Sequence, residues 1–406
     1  MNQLDLCDKA LLELVKIGIG TSKGDFDFTV LTEDEWESVM NKSSSQAVTL
    51  LAFNASKEVM NLLPKSVREQ WLVKAVRYIS NNQAVLRAQN KLVELLEENR
   101  LSYIILKGFA AAAYYPNFDK RAFGDVDFLI DPSEQQKVEN LLISKGYKCH
   151  LEEHEFHKVF IRAHERLEMH FEPAGIPYGK SGEIFRDYLK DAVHKYFSNE
   201  KPEFRNPNPN IHAVIIMLHT IHHMFDEGLG LRHLCDWACF VNKTYQQSFW
   251  QEEVLPLLSK TGTLKFAAAI TKTCNLYLGT DCPKWAQDTD DGLCYGIITD
   301  ILDLGNFGRG NKTRSVSGRM ITRHGKKGIE NRKTQYLLSK IDGLVQGTKQ
   351  NVKFKVAVPF VIVWELIKTA FAMLFGKRIS VLKTNTYANE RKAIYEQFEL
   401  YKTEEK

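Results

Sequence analysis

Asp125 and Asp127 stand in the run Gly124-Asp125-Val126-Asp127-Phe128-Leu129-Ile130, where Val126, Phe128 and Ile130 alternate with Asp125, Asp127 and Leu129. A strand has period two, so both carboxylates project from one face and the three apolar residues go to the other. Side-by-side carboxylates repel, and burying them is costly unless a cation or donors lie between them. A hard divalent ion, Mg²⁺ or Mn²⁺, suits such oxygen ligands. A further acid, Glu168, lies in a second alternating run, where Leu167, Met169 and Phe171 alternate with Glu168, His170 and Glu172. That run is predicted as a strand able to lie beside the first.

Upstream, the apolar run Tyr103-Ile104-Ile105-Leu106 breaks at Lys107-Gly108 into a small-residue helical pattern that Pro116 stops. This reads as strand, glycine turn and helix. Amides at a helix N-terminus carry partial positive charge, and glycine lets an anion approach the backbone. Lys107 adds a charge for phosphate, and Arg121 lies close to the aspartates in sequence. Carboxylates for a metal facing an anion cradle suggest a metal-bound triphosphate.

The residues Leu106-Lys107-Gly108, Tyr115-Pro116, Arg121 and Gly124 to Ile130 together resemble the signature of bacterial nucleotidyltransferases of the polymerase-β superfamily. The likeness is strongest to a subgroup known mainly as uncharacterised nucleotidyltransferases. Leu167 to Phe171 is similar to the same subgroup's third-acid strand, as are Leu218-His219, His223, Leu231-Arg232, Asp236-Trp237-Ala238 and Gly305 to Gly308. The resemblance implies an α+β fold: a polymerase-β-like nucleotidyltransferase core with a small mixed sheet, flanked by N-terminal and C-terminal helical regions. It implies an NTP substrate, Asp125, Asp127 and Glu168 as catalytic and metal-holding residues, and Lys107, Gly108, Arg121, Gly124 and His170 around the nucleotide. The expected reaction moves a nucleoside monophosphate to an acceptor hydroxyl, with Glu168 helping to activate it. A sugar or sugar phosphate, a protein hydroxyl, an RNA end and a small molecule all offer such a group. Phe109 follows Gly108 where the wider superfamily commonly has serine.

The elements around this centre read as follows. A chain of 406 residues, 44% hydrophobic, is long enough for several subdomains. The expected organisation is an N-terminal helical region (1–100), the core (101–205), a helical domain (206–305), a basic flexible loop (306–335) and a C-terminal helical region (336–406). Thr32 and Glu35 form a capping box, and Asp131-Pro132-Ser133 with Gln136 a second. Leu72, Ile79, Leu86 and Val93 recur every seven residues, as a packing face on the core or a coiled-coil seam. The Arg166–Phe171 run is expected to form a hairpin with the one before it, turning near His164-Glu165. Residues 173–210, rich in Pro, Gly and Asn, read as a boundary.

Net charge is only +4, which does not mark a nucleic-acid binder. Seven cysteines without a CxxC pair suit a reducing compartment. Asp5 and Asp8 stand where a signal peptide would be basic and then apolar, so a cytoplasmic location is expected. The apolar stretch 356–375 contains Glu365 and Lys368 on one face, which favours an amphipathic helix packed on the protein or lying on a membrane surface. The basic residues between Gly305 and Lys333 form a solvated loop or a dock for an anionic substrate.

Histidines offer a competing chemistry. His150, His154, His157, His164 and His170 fit no metal-pair spacing on a helix, although His157 or His170 could line the nucleotide site. His219 and His222 or His223 share a helix face, yet Thr220 replaces the glutamate of HExxH, which weighs against a metallohydrolase. Arg232 and Asp236, one turn apart, are expected to pair. A degenerate site that only binds nucleotide or a partner is the remaining alternative.

Overall fold

Each of the first two helices begins where the sequence supplies a cap. In α1 (Leu6–Ile19) the Asp5 carboxylate accepts from the Asp8 amide, and Gly20 ends the helix at φ 77°. α2 (Glu33–Ser45) carries the Thr32–Glu35 capping box. α3 (Thr49–Ala55) packs on α1, and α4 (Lys65–Glu98) runs to the sheet. The computed structural model describes residues 4–151, 157–173, 175–177, 179–198, 206–225, 228–311, 321–325, 328–331 and 381–402.

Only the second half of the seven-residue stripe is a packing face: Leu86 and Val93 lie against the core under the sheet. Leu72 and Ile79 are 48% and 42% exposed, whereas Trp71, Ala75, Asn82, Ala88, Leu92 and Leu96 are buried. The helix serves two cores in succession: Val67 and Trp71 enter the large helical core, and Ala88, Leu92 and Leu96 pack under the sheet. A straight α-helix also drifts by about 20° per heptad, so one stripe cannot follow both faces.

The sheet contains β1 (Tyr103–Ile105), β2 (Val126–Ile130), β3 (Lys148–Leu151), β4 (His157–Arg162) and β5 (Glu165–His170) in the order β1-β2-β5-β4-β3. β2 and β5 are parallel, and the other pairs are antiparallel. Between strands lie α5 (Lys107–Ala112) and α6 (Gln135–Ser144). The β4–β5 hairpin turns at Ala163-His164, with Ala163 at φ 51°, one residue earlier than expected. Asp131 accepts from the Ser133 amide and opens the 3₁₀ turn before α6; Gln136 bonds Asn140 and makes no box.

Alternation decides the sheet's two faces. Phe128, Ile130, Leu167 and Met169 pack with Leu92, Leu96, Val138 and Leu142. Leu129 belongs instead to the large core, with Ile104, Leu106 and the later helices.

Those helices are α7 (Lys180–Ser198), α8 (Pro209–Phe225), α9 (Leu231–Thr244), α10 (Leu255–Lys260), α11 (Leu264–Leu278), α12 (Lys284–Gln287) and α13 (Asp291–Leu304). α7 occupies half of the stretch read as a boundary. Its prolines cluster outside the helix, and Ile184, Phe185, Tyr188 and Leu189 supply helical periodicity. A short antiparallel ribbon, β6 (Ile321–Gly325) and β7 (Gly328–Asn331), lies within the stretch expected to be a loop. α14 (Val381–Glu396) docks through fully buried Arg391, whose Nη2 donates to the Met224 carbonyl at 2.6 Å and whose Nε lies 3.3 Å from Asp300 Oδ2. All seven cysteines are free thiols. Among the described residues no helix is long and apolar enough to cross a membrane. The 356–375 stretch, His154, and Lys312, Arg314, Arg319, Lys326, Lys327, Arg332 and Lys333 lie outside the described residues.

Candidate active site

The β2–β5 register places Asp127 opposite Glu168, and Asp125 lies at the same edge just before β2. Ligand oxygens of Asp125, Asp127 and Glu168 lie within 4.8 Å of one another. Asp127 and Glu168 are 6% and 8% exposed, so their charges are poorly screened by water. Burial pushes Asp125 up, and the Asp127 charge adds to it. Glu168 is pushed up to about 7, first by burial and then by Asp127 and Asp125, against the pull of Lys107 and Arg166. Oxygen donors concentrated this closely, with two carboxyls raised by burial and by the Asp127 charge, fit a hard divalent cation.

Lys107 stands at the centre. Its Nζ donates to Asp127 Oδ1 at 2.6 Å and lies 3.5 Å from His170 Nε2. His170 Nε2 is 2.9 Å from the same carboxylate oxygen, so the ring proton sits on Nε2 and is donated. Burial would raise Asp127, but Lys107 and His170 outweigh it and hold the carboxyl well below its usual range. His170 has no exposed surface, so it positions Asp127 from beneath and does not line an open nucleotide pocket.

The turn differs from the expected glycine cradle. Lys107, not Gly108, takes the left-handed conformation, at φ 45°. A Cβ at Gly108 would come within 3.2 Å of Arg121 Nη1, so any side chain there would press on the guanidinium by a few tenths of an ångström. α5 is only six residues long. Gly124 is exposed beside the acids, and a Cβ there would meet nothing within 4 Å.

Arg121 serves a buried joint. Its Nε and Nη2 donate to Asp236 Oδ1 and Oδ2 at 2.8 and 2.6 Å, and its Nη1 donates to the Ala122 carbonyl. Tyr115 OH adds a third bond to Asp236, at 2.7 Å. These bonds, with only 4% of Arg121 exposed, place its guanidinium in the joint between the β2 loop and α9. They also displace the expected Arg232–Asp236 pair: a planar fork on a carboxylate outcompetes an i,i+4 contact. Arg232 instead lies over the Phe307 ring at 5.4 Å, with its Nε buried and unpartnered. Burial and the neighbouring Arg121 lower it to about 10, and its charge pulls on Asp125.

A family model described as an uncharacterised nucleotidyltransferase matches residues 32–279, more than half of the chain and all of this site. The chain belongs to that family. No curated protein and no solved structure matches it.

Several residues of this nucleotidyltransferase family member escape a reading of motifs. Arg166 donates to Glu168 Oε1 from Nη2 at 2.7 Å and sits 3.7 Å from Asp125 Oδ2. Strand alternation puts it on the acid face, a signal present in the sequence. His157 faces His170 in register, its Nε2 3.9 Å from Glu168 Oε2; exposed His150 and His164 stand apart. From the N-terminal helices, Gln46 accepts from the Leu231 amide at 2.9 Å and so caps α9.

Asn82 on α4 has the largest reach. Its Nδ2 donates to the carbonyls of Asp119 and Arg121 at 3.1 and 2.8 Å, and its Oδ1 accepts from the Phe123 amide at 2.9 Å. Asn81 beside it donates to the Phe123 carbonyl at 2.8 Å, so two neighbouring side chains of α4 pin the loop that delivers Asp125. Asn82→Ala would orphan buried backbone groups and is expected to cost about 2–4 kcal/mol in urea unfolding. A loss under about 1 kcal/mol would mean that water or a rearranged loop replaces the pin.

The raised Glu168 carboxyl gives a pH-dependent prediction. Its folded pKa exceeds the unfolded one, so the folded chain holds more protons between roughly pH 4.5 and 7. The stability this group contributes is present below the unfolded pKa and is lost as pH rises through about 7. Glu168→Gln should therefore change little at pH 5 and raise stability at pH 8 by about 1–3 kcal/mol in metal-free buffer. Equal effects at both pH values would show that burial and the neighbouring acids do not raise the Glu168 carboxyl.

Proposed function

We propose that the chain is a metal-dependent nucleotidyltransferase with a polymerase-β-like core, moving a nucleoside monophosphate from an NTP to an acceptor hydroxyl. The observation that carries this reading is the convergence of Asp125, Asp127 and Glu168 on one sheet face around Lys107, in a chain of a nucleotidyltransferase family. Asp125, Asp127 and Glu168 would hold Mg²⁺ or Mn²⁺, which supplies charge neutralisation for the triphosphate and a lowered acceptor pKa.

The side chains divide the remaining work. The acceptor oxygen bonds to the α-phosphorus as the bond to the bridging oxygen breaks and pyrophosphate leaves. Glu168 positions the acceptor hydroxyl and takes its proton. Lys107 and Arg232 oppose the negative charge that develops on the departing phosphates. Arg166 bridges Glu168 and Asp125 and offsets their repulsion, and His170 orients Asp127. Exposed Gly124 leaves space for substrate beside the acids. Beyond Leu129, a groove of about 690 Å³ reaching Phe171 and Arg186 has room for the acceptor.

Wild type and the Asp125→Asn/Asp127→Asn double variant would be incubated with each α-labelled NTP, Mg²⁺ or Mn²⁺, and a cell extract as acceptor pool. Label should enter a new species, with pyrophosphate released, only with wild type. Equal labelling by the double variant would refute the assignment. NTP binding without transfer under any condition would make the domain a nucleotide-binding module.

A further inference from the structure

Across the small cavity beside Lys107, three imidazoles that this chemistry does not use converge. His219 and His223 are one turn apart on α8, and His233 comes from the first turn of α9. Their rings lie 4.3 to 5.4 Å apart, centre to centre. One nitrogen of each lies within 4.8 Å of the others, and His219 Nε2 and His223 Nε2 are 2.8 Å apart.

We propose that His219, His223 and His233 form a second, all-nitrogen metal site for a borderline transition ion of the Zn²⁺ class, bridging α8 and α9.

The geometry is close to what such an ion requires. Zinc–nitrogen bonds of about 2.0–2.1 Å in a tetrahedron hold ligand nitrogens about 3.3–3.4 Å apart, a small ring rotation from the observed pair. Burial first, and then neighbouring cationic and imidazole groups, keep all three histidines well below their usual pKa. They are therefore neutral, with lone pairs ready for a metal. His223 Nδ1 is buried without a partner. The Gly230 amide donates to His233 Nδ1 at 3.4 Å, and Arg232 Nη2 lies 3.4 Å from Nε2, a contact that an ion bound at Nε2 would replace.

Donor type separates this site from the acid cluster. Neutral imidazoles favour zinc, cobalt, nickel or copper, whereas the carboxylates favour magnesium or manganese. A fourth position is available: the cavity bordered by Lys107, His219, Thr220 and His233 measures about 10 Å³, close to the volume that admits one water. Lys107 and Arg232 nearby favour an anionic ligand there, such as hydroxide. Thr220 stands where HExxH proteins have their general base, so the ion would brace the helices and not drive hydrolysis. The turn Gly305 to Gly308 closes the site, with Phe307 at 4.9 Å from His223 and 5.5 Å from His233.

The test uses the full-length chain stripped with chelator and titrated with Zn²⁺ or Co²⁺, read by metal analysis and visible absorption. Wild type should bind about one equivalent of either ion, with the intense bands of tetrahedral Co²⁺. Asp125→Asn/Asp127→Asn and the exposed control His164→Ala should keep this signal. His223→Asn and His233→Asn should each weaken binding by at least about 100-fold, with circular dichroism verifying their fold. Absence of stoichiometric binding by wild type, weak octahedral Co²⁺ bands, or loss of the signal with the aspartates would each overturn the proposal. None of these readouts depends on nucleotidyl transfer, so the two readings fail separately.

Discussion

Asp127→Asn is expected to lower nucleotidyl transfer at least about 10³-fold and to destabilise the chain by about 3–5 kcal/mol. The first effect follows from the proposed chemistry. A neutral amide is a poor ligand for a hard cation, and several kcal/mol of lost charge stabilisation is worth about tenfold in rate per 1.4 kcal/mol. The second follows from geometry alone. Lys107 Nζ is 2.6 Å from Asp127 Oδ1, and its side chain is only 14% exposed, so the substitution strands a buried ammonium beside His170. Lys107→Met would strand the carboxylate instead, and the double variant should lose less stability than the two singles added together. Urea unfolding and single-turnover transfer measure the two effects independently. A double variant that recovers stability without activity would show that the Lys107–Asp127 pair acts in the chemistry as well as in the fold. Transfer within tenfold of wild type in Asp127→Asn would remove the metal role assigned to it.

Local periodicity makes the acid face legible in the sequence. Val126, Phe128 and Ile130 alternate with the aspartates, Leu167 and Met169 alternate with Glu168 and His170, and the register sets Asp127 opposite Glu168. The Thr32–Glu35 cap is equally local. Partner choice across the chain is less legible. Spacing on one helix pairs Arg232 with Asp236, yet Arg121, 115 residues away, supplies two aligned donors and takes the carboxylate. The heptad stripe on α4 packs only at Leu86 and Val93 for a related reason, because the helix meets two cores on different sides. His219 and His223 carry their own i,i+4 signal, but nothing in the spacing reveals that His233 completes the group. Gly108 shows the converse: the residue is noticed, and its closeness to Arg121 emerges only in three dimensions.

The Arg121–Asp236 joint should be the most sensitive structural point outside the acids. Arg121 is 4% exposed and Asp236 5%, and they connect the loop entering β2 to α9. Asp236→Asn keeps the shape of the side chain but leaves a buried guanidinium uncompensated, at a cost of about 3–5 kcal/mol. Arg121→Lys should cost nearly as much, since an ammonium cannot make two parallel bonds to one carboxylate, and its stem must also pass Gly108. Replacing both partners, Arg121→Met with Asp236→Leu, removes the two charges together and should recover a large part of the loss, although Tyr115 OH then lacks its acceptor. Recovered stability need not restore function, because the loop that the joint fixes carries Asp125. In the double variant, binding of Mg²⁺ should weaken more than binding of Zn²⁺ to the histidines. If Asp236→Asn unfolds within about 1 kcal/mol of wild type, the joint is solvated and the loop is held by Asn81 and Asn82.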